Sequence, residues 1–160
     1  QAIRRAHDIG WKPTQYLNSL ASSVGAVLEP AGLDKSVGII SVAYLKDPSD
    51  KRWAGDPAMK EYLDFMSRYM PGANIYDTMN VFGYSAAQTL AHVLQQCGND
   101  LSRENLLHQA THIKELLLPM ALPGIVVHTT PEQRTALRSM QLAKFDGKAW
   151  QLFGDVISAR

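Results

Sequence analysis

The sequence predicts a mixed α/β fold, on the strength of three observations. Val37-Gly38-Ile39-Ile40-Ser41-Val42-Ala43-Tyr44-Leu45 is β-branched and nearly continuously apolar, the composition of a strand buried on both faces of a parallel sheet. Between about residues 57 and 113, three segments carry apolar residues at helical spacing with no strand between them. Met140 to Phe145 and Ala149 to Phe153, joined through Asp146-Gly147, give a hairpin signal near the end of the chain. Strand and helix, then helices alone, then strands again describes a path that leaves one layer and later returns to it.

Ile3, Ala6 and Ile9 recur every third residue before Gly10 and Pro13, which reads as the end of a helix with its stop signals in the usual order. Thr14 to Leu17 reads as a short strand. Asn18 to Ser23 is a small polar loop opening a short helix through Leu28, closed near Pro30 and Gly32. Lys46-Asp47-Pro48-Ser49-Asp50 ends the long apolar strand. Asp56-Pro57 is an N-cap followed by proline at the first helical position, and Met59, Leu63, Met66 and Met70 mark the buried stripe up to Pro71-Gly72. Asn80 to Cys97 forms a second helix with apolar residues on more than one stripe and Gly98 as its terminator, so heavy burial is expected. Ser102 caps a third, with Glu104 in its first turn, through Leu106, Leu107, Ala110 and as far as Ile113. Gly124 to Thr129 returns to β character.

Composition excludes several classes. A chain of 160 residues can bury about 70% of its unfolded surface, and 46% hydrophobic against 19% charged residues is globular rather than disordered or coiled-coil. Sixteen Lys plus Arg against fifteen Asp plus Glu leave +1, with no basic stripe of the kind nucleic acid or an anionic membrane requires. Cys97 is the single cysteine, so no intramolecular disulfide or cysteine-pair zinc site can form. The most apolar stretch, Glu115 to Val127, is broken by Pro119 and Pro123 and is too short to span a bilayer. The chain opens on Gln1 inside a helix-like pattern without an initiator Met or a signal peptide, as a fragment would.

No catalytic constellation emerges. His108 and His112 are four apart, a spacing that can share a metal, but without a His-Glu-x-x-His arrangement the pair reads as a solvated helix face. Gly83-Tyr84-Ser85-Ala86-Ala87 lacks the second glycine of a nucleophile elbow and falls inside a helix. Cys97, at a helix C-terminus, reads as a small core residue. The glycines match neither dinucleotide nor Walker spacing. Asp47 with Asp50, and Glu61 with Asp64, sit in contexts that read as loop and solvent-facing helix. What remains is small-molecule binding by polar loops after strand ends, Asn18 to Ser23 and Tyr44 to Asp47. The competing reading, that Asn18, Ser19 and Ser22 merely cap the next turn, is equally compatible with the sequence.

An ordered set of markers adds a resemblance. Gly10-Trp11-Lys12-Pro13, Pro30-Ala31-Gly32-Leu33, Tyr44-Leu45-Lys46-Asp47-Pro48, Asn80-Val81-Phe82-Gly83-Tyr84, Leu122-Pro123-Gly124-Ile125, and Phe145-Asp146-Gly147 to Trp150 together resemble the carboxy-terminal half of periplasmic substrate-binding proteins of branched-chain amino acid type ABC importers. The resemblance implies a type I periplasmic-binding-protein-like α/β fold. This chain would supply parts of two Rossmann-like lobes and a C-terminal β-hairpin, the ligand held in the cleft by hinge closure. Residues 1–45 and 124–160 would then belong to the carboxy-terminal lobe. Residues 46–123 would form a crossover and helices packing on an amino-terminal lobe whose sheet is not encoded here. That region would have to be covered by a missing amino-terminal portion or by a second copy.

By the same resemblance the chain is a non-enzymatic periplasmic solute receptor for an amino acid, organic acid or amide, working with the membrane subunits of an ABC importer and needing no cofactor or metal. A sensory domain of the same fold is the alternative; an α/β enzyme fits less well. Position by position, the resemblance implicates Asn18, Ser19, Ala21 and Ser22 after the first strand, Tyr44 after the second, and Asn80 and Phe82 at a helix start. An acidic residue that some amino-acid-binding relatives carry in the first loop is absent from Asn18 to Ser23, which speaks against a ligand ammonium group, since a neutral loop cannot offset a buried cation.

Overall fold

Ile40–Ala43 (β1), Ser139–Phe145 (β2) and Trp150–Ser158 (β3) form an antiparallel sheet with β2 in the middle; the computed structural model describes residues 1–159. The hairpin closes where Phe145 faces Trp150. Its turn is fixed by Asp146, whose Oδ1 accepts from the N–H groups of Lys148 and Ala149, both at 2.8 Å. Gly147 follows at φ +100°, where a Cβ would also approach Val37 Cγ2 to 3.1 Å, so both backbone and space require glycine.

The strand expected over residues 37–45 is shorter and differently paired. β1 runs antiparallel to β2, and of its residues only Ser41 is buried. Thr14 to Leu17 contributes one parallel bridge, Tyr16 to Ile40, rather than a strand. That side of β1 is therefore a sheet edge touched by a single rung, which explains its partial burial. Gly124 to Thr129 likewise forms no strand. Its backbone is split between partners on both sides instead: Val127 pairs with Leu116, Thr129 N–H donates to the Ile113 carbonyl, and His128 N–H donates to the Ala136 carbonyl. The expected polar loop Asn18 to Ser23 contains a tight turn, Ser19–Ala21, and the short helix it opens is a widened turn, Val24–Leu28, the two capped by the side chains of Asn18 and Ser23.

The longer helices follow their caps. Besides α1 (Ala2–Asp8) and the single turn α2 (Glu29–Ala31), α3 spans Pro57–Tyr69, with Asp56 accepting from Met59 N–H at 3.0 Å. Met59, Tyr62 and Met66 form its buried stripe. α4 spans Thr78–Cys97 and starts two residues earlier than expected, with Asp77 as its cap. α5 spans Arg103–Ala110, capped by Ser102, and stops short of Ile113 because Thr111 takes the terminal carbonyls. The expected heavy burial of α4 does not hold. Val81, Ser85, Val93 and Cys97 are buried, whereas Leu90 is 53% exposed. The segment around residues 113–127 covers one face of α4, and no described residue covers the other.

Three apolar clusters result. Ile3, Leu28, Ile39, Phe145 and Trp150 join α1 to the sheet. Val93, Ile113, Leu118 and Ile125 lie under α4 and α5, and Met59, Tyr62, Val81 and Met120 join α3 to α4. Sheet and helices are connected by two segments running side by side: Leu45 bridges Ala121, Lys46 N–H donates to the Met120 carbonyl at 2.8 Å, and Leu122 N–H donates to the Tyr44 carbonyl at 3.0 Å.

Lys46, 8% exposed, anchors this crossing to α3. Its Nζ donates to Asp56 Oδ2 at 2.7 Å and sits 5.2 Å from the centre of the Trp53 ring. The Lys46 hydrogen bond holds the Asp56 carboxyl below its usual range. A depressed native pKa contributes stability above the ordinary carboxylate value of about 4, lost as pH falls through the native value. Asp56→Asn is therefore expected to lower stability at neutral pH and to flatten the acid limb, as read from urea midpoints between pH 7 and pH 2. An unchanged acid limb would show that the pair contributes nothing.

Candidate ligand-binding site

Where the end of β1 runs into the crossing, three parts of the chain come together around a cleft. The turn after Leu17 supplies Ser19 and Ser22, the exit from β1 supplies Tyr44 and Asp47, and the first turns of α4 supply Met79 and Phe82. The turn is held in place from across the sheet, since Trp150 Nε1 donates to the Ser22 carbonyl at 2.8 Å. Trp150 is buried and packs against Phe145, ring centres 5.5 Å apart, so the first core cluster fixes the cleft wall.

Of the residues singled out in the sequence, Ser19, Ser22, Tyr44 and Phe82 line this one cleft. Tyr44 is half-buried, and burial raises its phenol pKa. Phe82 remains 42% exposed at the rim. Asn18, Ala21 and Asn80 are not in the lining. Asn18 is exposed and its Oδ1 accepts from Leu20 N–H at 2.9 Å, which is the capping role. Asn80 Nδ2 donates to the Asn74 carbonyl at 2.8 Å, tying down the loop before α4. Ser22 serves both readings, because it lines the cleft while its hydroxyl donates to the Ser19 carbonyl at 2.6 Å.

The acids of the second loop, in which no periodicity points inward, are nonetheless brought to the cleft: Asp50 is 8% exposed, Asp47 is half-buried, and both line it. Asp50 accepts from Arg52 Nε at 2.8 Å, and Arg52 Nη2 also donates to the Trp150 carbonyl at 2.9 Å. Asp47 Oδ1 accepts from Ser49 N–H at 2.8 Å and Ser49 Oγ at 2.7 Å, and burial raises its pKa. Arg52, Trp53 and Trp150 also line the cleft unforeseen. Their signal in the sequence is weak, because Arg52 and Trp150 meet across 98 positions.

Elsewhere, His108 and His112 stack with ring centres 4.1 Å apart on the exposed end of α5. Among the described residues no group of three His, Cys, Asp or Glu side chains could hold a metal ion. Among them also, no helix is long and apolar enough to cross a membrane.

Solved structures share this architecture. A possible leucine/isoleucine/valine-binding protein from Rhodopirellula baltica SH 1 superposes with a TM-score of 0.74 at 17% identity, over 95% of this chain and 38% of that one. A branched chain amino acid ABC transporter protein from Thermus thermophilus with bound valine gives 0.76 at 11% identity, over 99% and 42%. A substrate-binding periplasmic protein from Ralstonia solanacearum gives 0.76 at 19%, over 98% and 41%. The chain thus spans about two-fifths of the length of these structures and has their type I periplasmic binding fold. No curated protein matches it in sequence. Residues 1–149 match the sequence profile described as Periplasmic binding protein, and the chain belongs to that family.

Proposed function

We propose that this chain forms part of a two-lobed solute receptor that traps a small organic ligand, an amino acid or related organic acid or amide, and presents it to the membrane subunits of an ABC importer in the periplasm. The carrying observation is the cleft itself, which draws Ser19 and Ser22, Tyr44 and Phe82 from three separate segments to one apolar-walled hollow, as ligand sites require. Family membership and the valine bound to the Thermus thermophilus relative support the solute class. In the same reading, residues 1–45 and 124–160 belong to one lobe. Residues 46–123 provide the crossing and helices that pack on the other lobe, and closure between the lobes commits the ligand.

Replacing Ser19 and Ser22 together by alanine in the two-lobed receptor is expected to weaken ligand binding about tenfold or more. Calorimetric titration with L-valine and L-leucine reads the effect, with thermal unfolding as control. Unchanged affinity would remove the first loop from the site.

A further inference from the structure

We propose that Asp47 is the specificity-determining carboxylate of this cleft and that it selects ligands carrying a protonated amine, an inference that rests on the cleft being the ligand site. The first loop has no carboxylate between Asn18 and Ser23, so the sequence argues against such a ligand. The fold reverses that argument by carrying the second loop into the same cleft.

Charge pairing around the cleft singles out Asp47. Three charged side chains line it, Asp47, Asp50 and Arg52. Arg52 is paired with Asp50, and the nearby Lys46 is paired with Asp56. Both neighbouring cations are thus committed to other carboxylates, and no ion pair among the described residues includes Asp47. Its Oδ1 is held by the Ser49 N–H and hydroxyl, which fixes the side chain and leaves the second oxygen for an incoming donor. A half-buried carboxylate with no cationic partner is costly, and burial raises its pKa accordingly. A ligand ammonium relieves that cost while satisfying its own charge. The surrounding Val42, Leu45, Met79, Phe82 and Leu122 accommodate an apolar body, so the favoured ligand is a small amphiphile with an amine at the crossing end. Arg52, already neutralised by Asp50, does not favour an anion to the same degree.

The test uses matched pairs sharing a carbon skeleton: L-leucine with 4-methylpentanoate, and L-phenylalanine with 3-phenylpropanoate, titrated into the two-lobed receptor. Asp47→Asn keeps an Oδ1 acceptor for Ser49 and removes only the charge. It is expected to weaken binding of the amine-bearing members about tenfold to a hundredfold while leaving the deaminated members unchanged, and Asp47→Glu is expected to recover part of the loss. Equal weakening of both members, no weakening, a wild-type preference for the deaminated acids, or binding of no member of either pair overturns the assignment. Phe82→Ala and the Ser19/Ser22 double variant separate the two levels of the argument. If they weaken binding and Asp47→Asn does not, the cleft stands and the amine assignment falls; if none of them does, the cleft reading itself falls.

Discussion

Phe145→Ala is expected to lower the unfolding free energy by about 3–5 kcal/mol, the usual cost of emptying a fully enclosed aromatic site. Phe145 is 0% exposed and ends β2 opposite Trp150. It packs in the cluster that holds Ile3 of α1, Leu28 and Ile39, so its loss leaves a hollow that rigid strand pairing on both sides prevents from collapsing. The effect reaches the cleft. Trp150, the ring packed against Phe145, also holds the Ser22 carbonyl, so the variant is expected to loosen the Ser19–Ser22 turn and weaken ligand binding as well. Phe153→Ala is the control, because Phe153 lies on β3 with 41% exposure and is expected to cost a small fraction as much. Urea unfolding of the two variants decides: equal costs would show that the first cluster is not the core of the sheet.

The contrast between these two phenylalanines shows what kind of information the sequence carries. Local rules hold where a side chain acts on its own neighbourhood. Asp56-Pro57, Ser102 and Asp146-Gly147 each start an element or turn where expected, because each cap or turn is completed within three residues. Expectations weaken where burial depends on distant chain. Val37 to Leu45 reads as a doubly buried strand by composition, but only one rung from Tyr16 reaches its outer edge. Gly124 to Thr129 has strand composition, but its backbone is divided between Ile113 and Leu116 before it and Ala136 after it. The cleft divides along the same line. Ser19, Ser22, Tyr44 and Phe82 were identifiable through resemblance, loop position and residue type. Asp47 and Asp50 read only as loop acids, because nothing in their own segment reveals that they share a cleft with the Ser19–Ser22 turn and the start of α4. Asn18 and Asn80 lie outside the cleft's lining, and their side chains bond within their own loops.

Self-association of the 160-residue chain alone is the second large expected effect, with light scattering after size exclusion giving a mass above the 17.7 kDa of one copy. α4 carries two apolar stripes. One, through Val81, Ser85, Val93 and Cys97, is buried. The other, through Gly83, Ala87, Leu90 and Leu94, is exposed along its length at spacings of four, three and four, which place it on a single face. Phe65 and Tyr69 of α3, with ring centres 4.9 Å apart, are exposed as well, as is Leu107 of α5. Apolar area costs about 25 cal/mol per Å² when left in water, and continuous patches beyond a few hundred Å² drive association. The chain on its own leaves this face in water, whereas in the proposed two-lobed receptor the amino-terminal lobe covers it. L90E with L94K converts the stripe into a favourable i, i+4 ion pair without disturbing the buried one. That double variant is expected to elute as a 17.7 kDa monomer with unchanged helix content by circular dichroism. A monomeric parent chain would show that the second stripe of α4 tolerates water, and an associated double variant would place the contact on another surface.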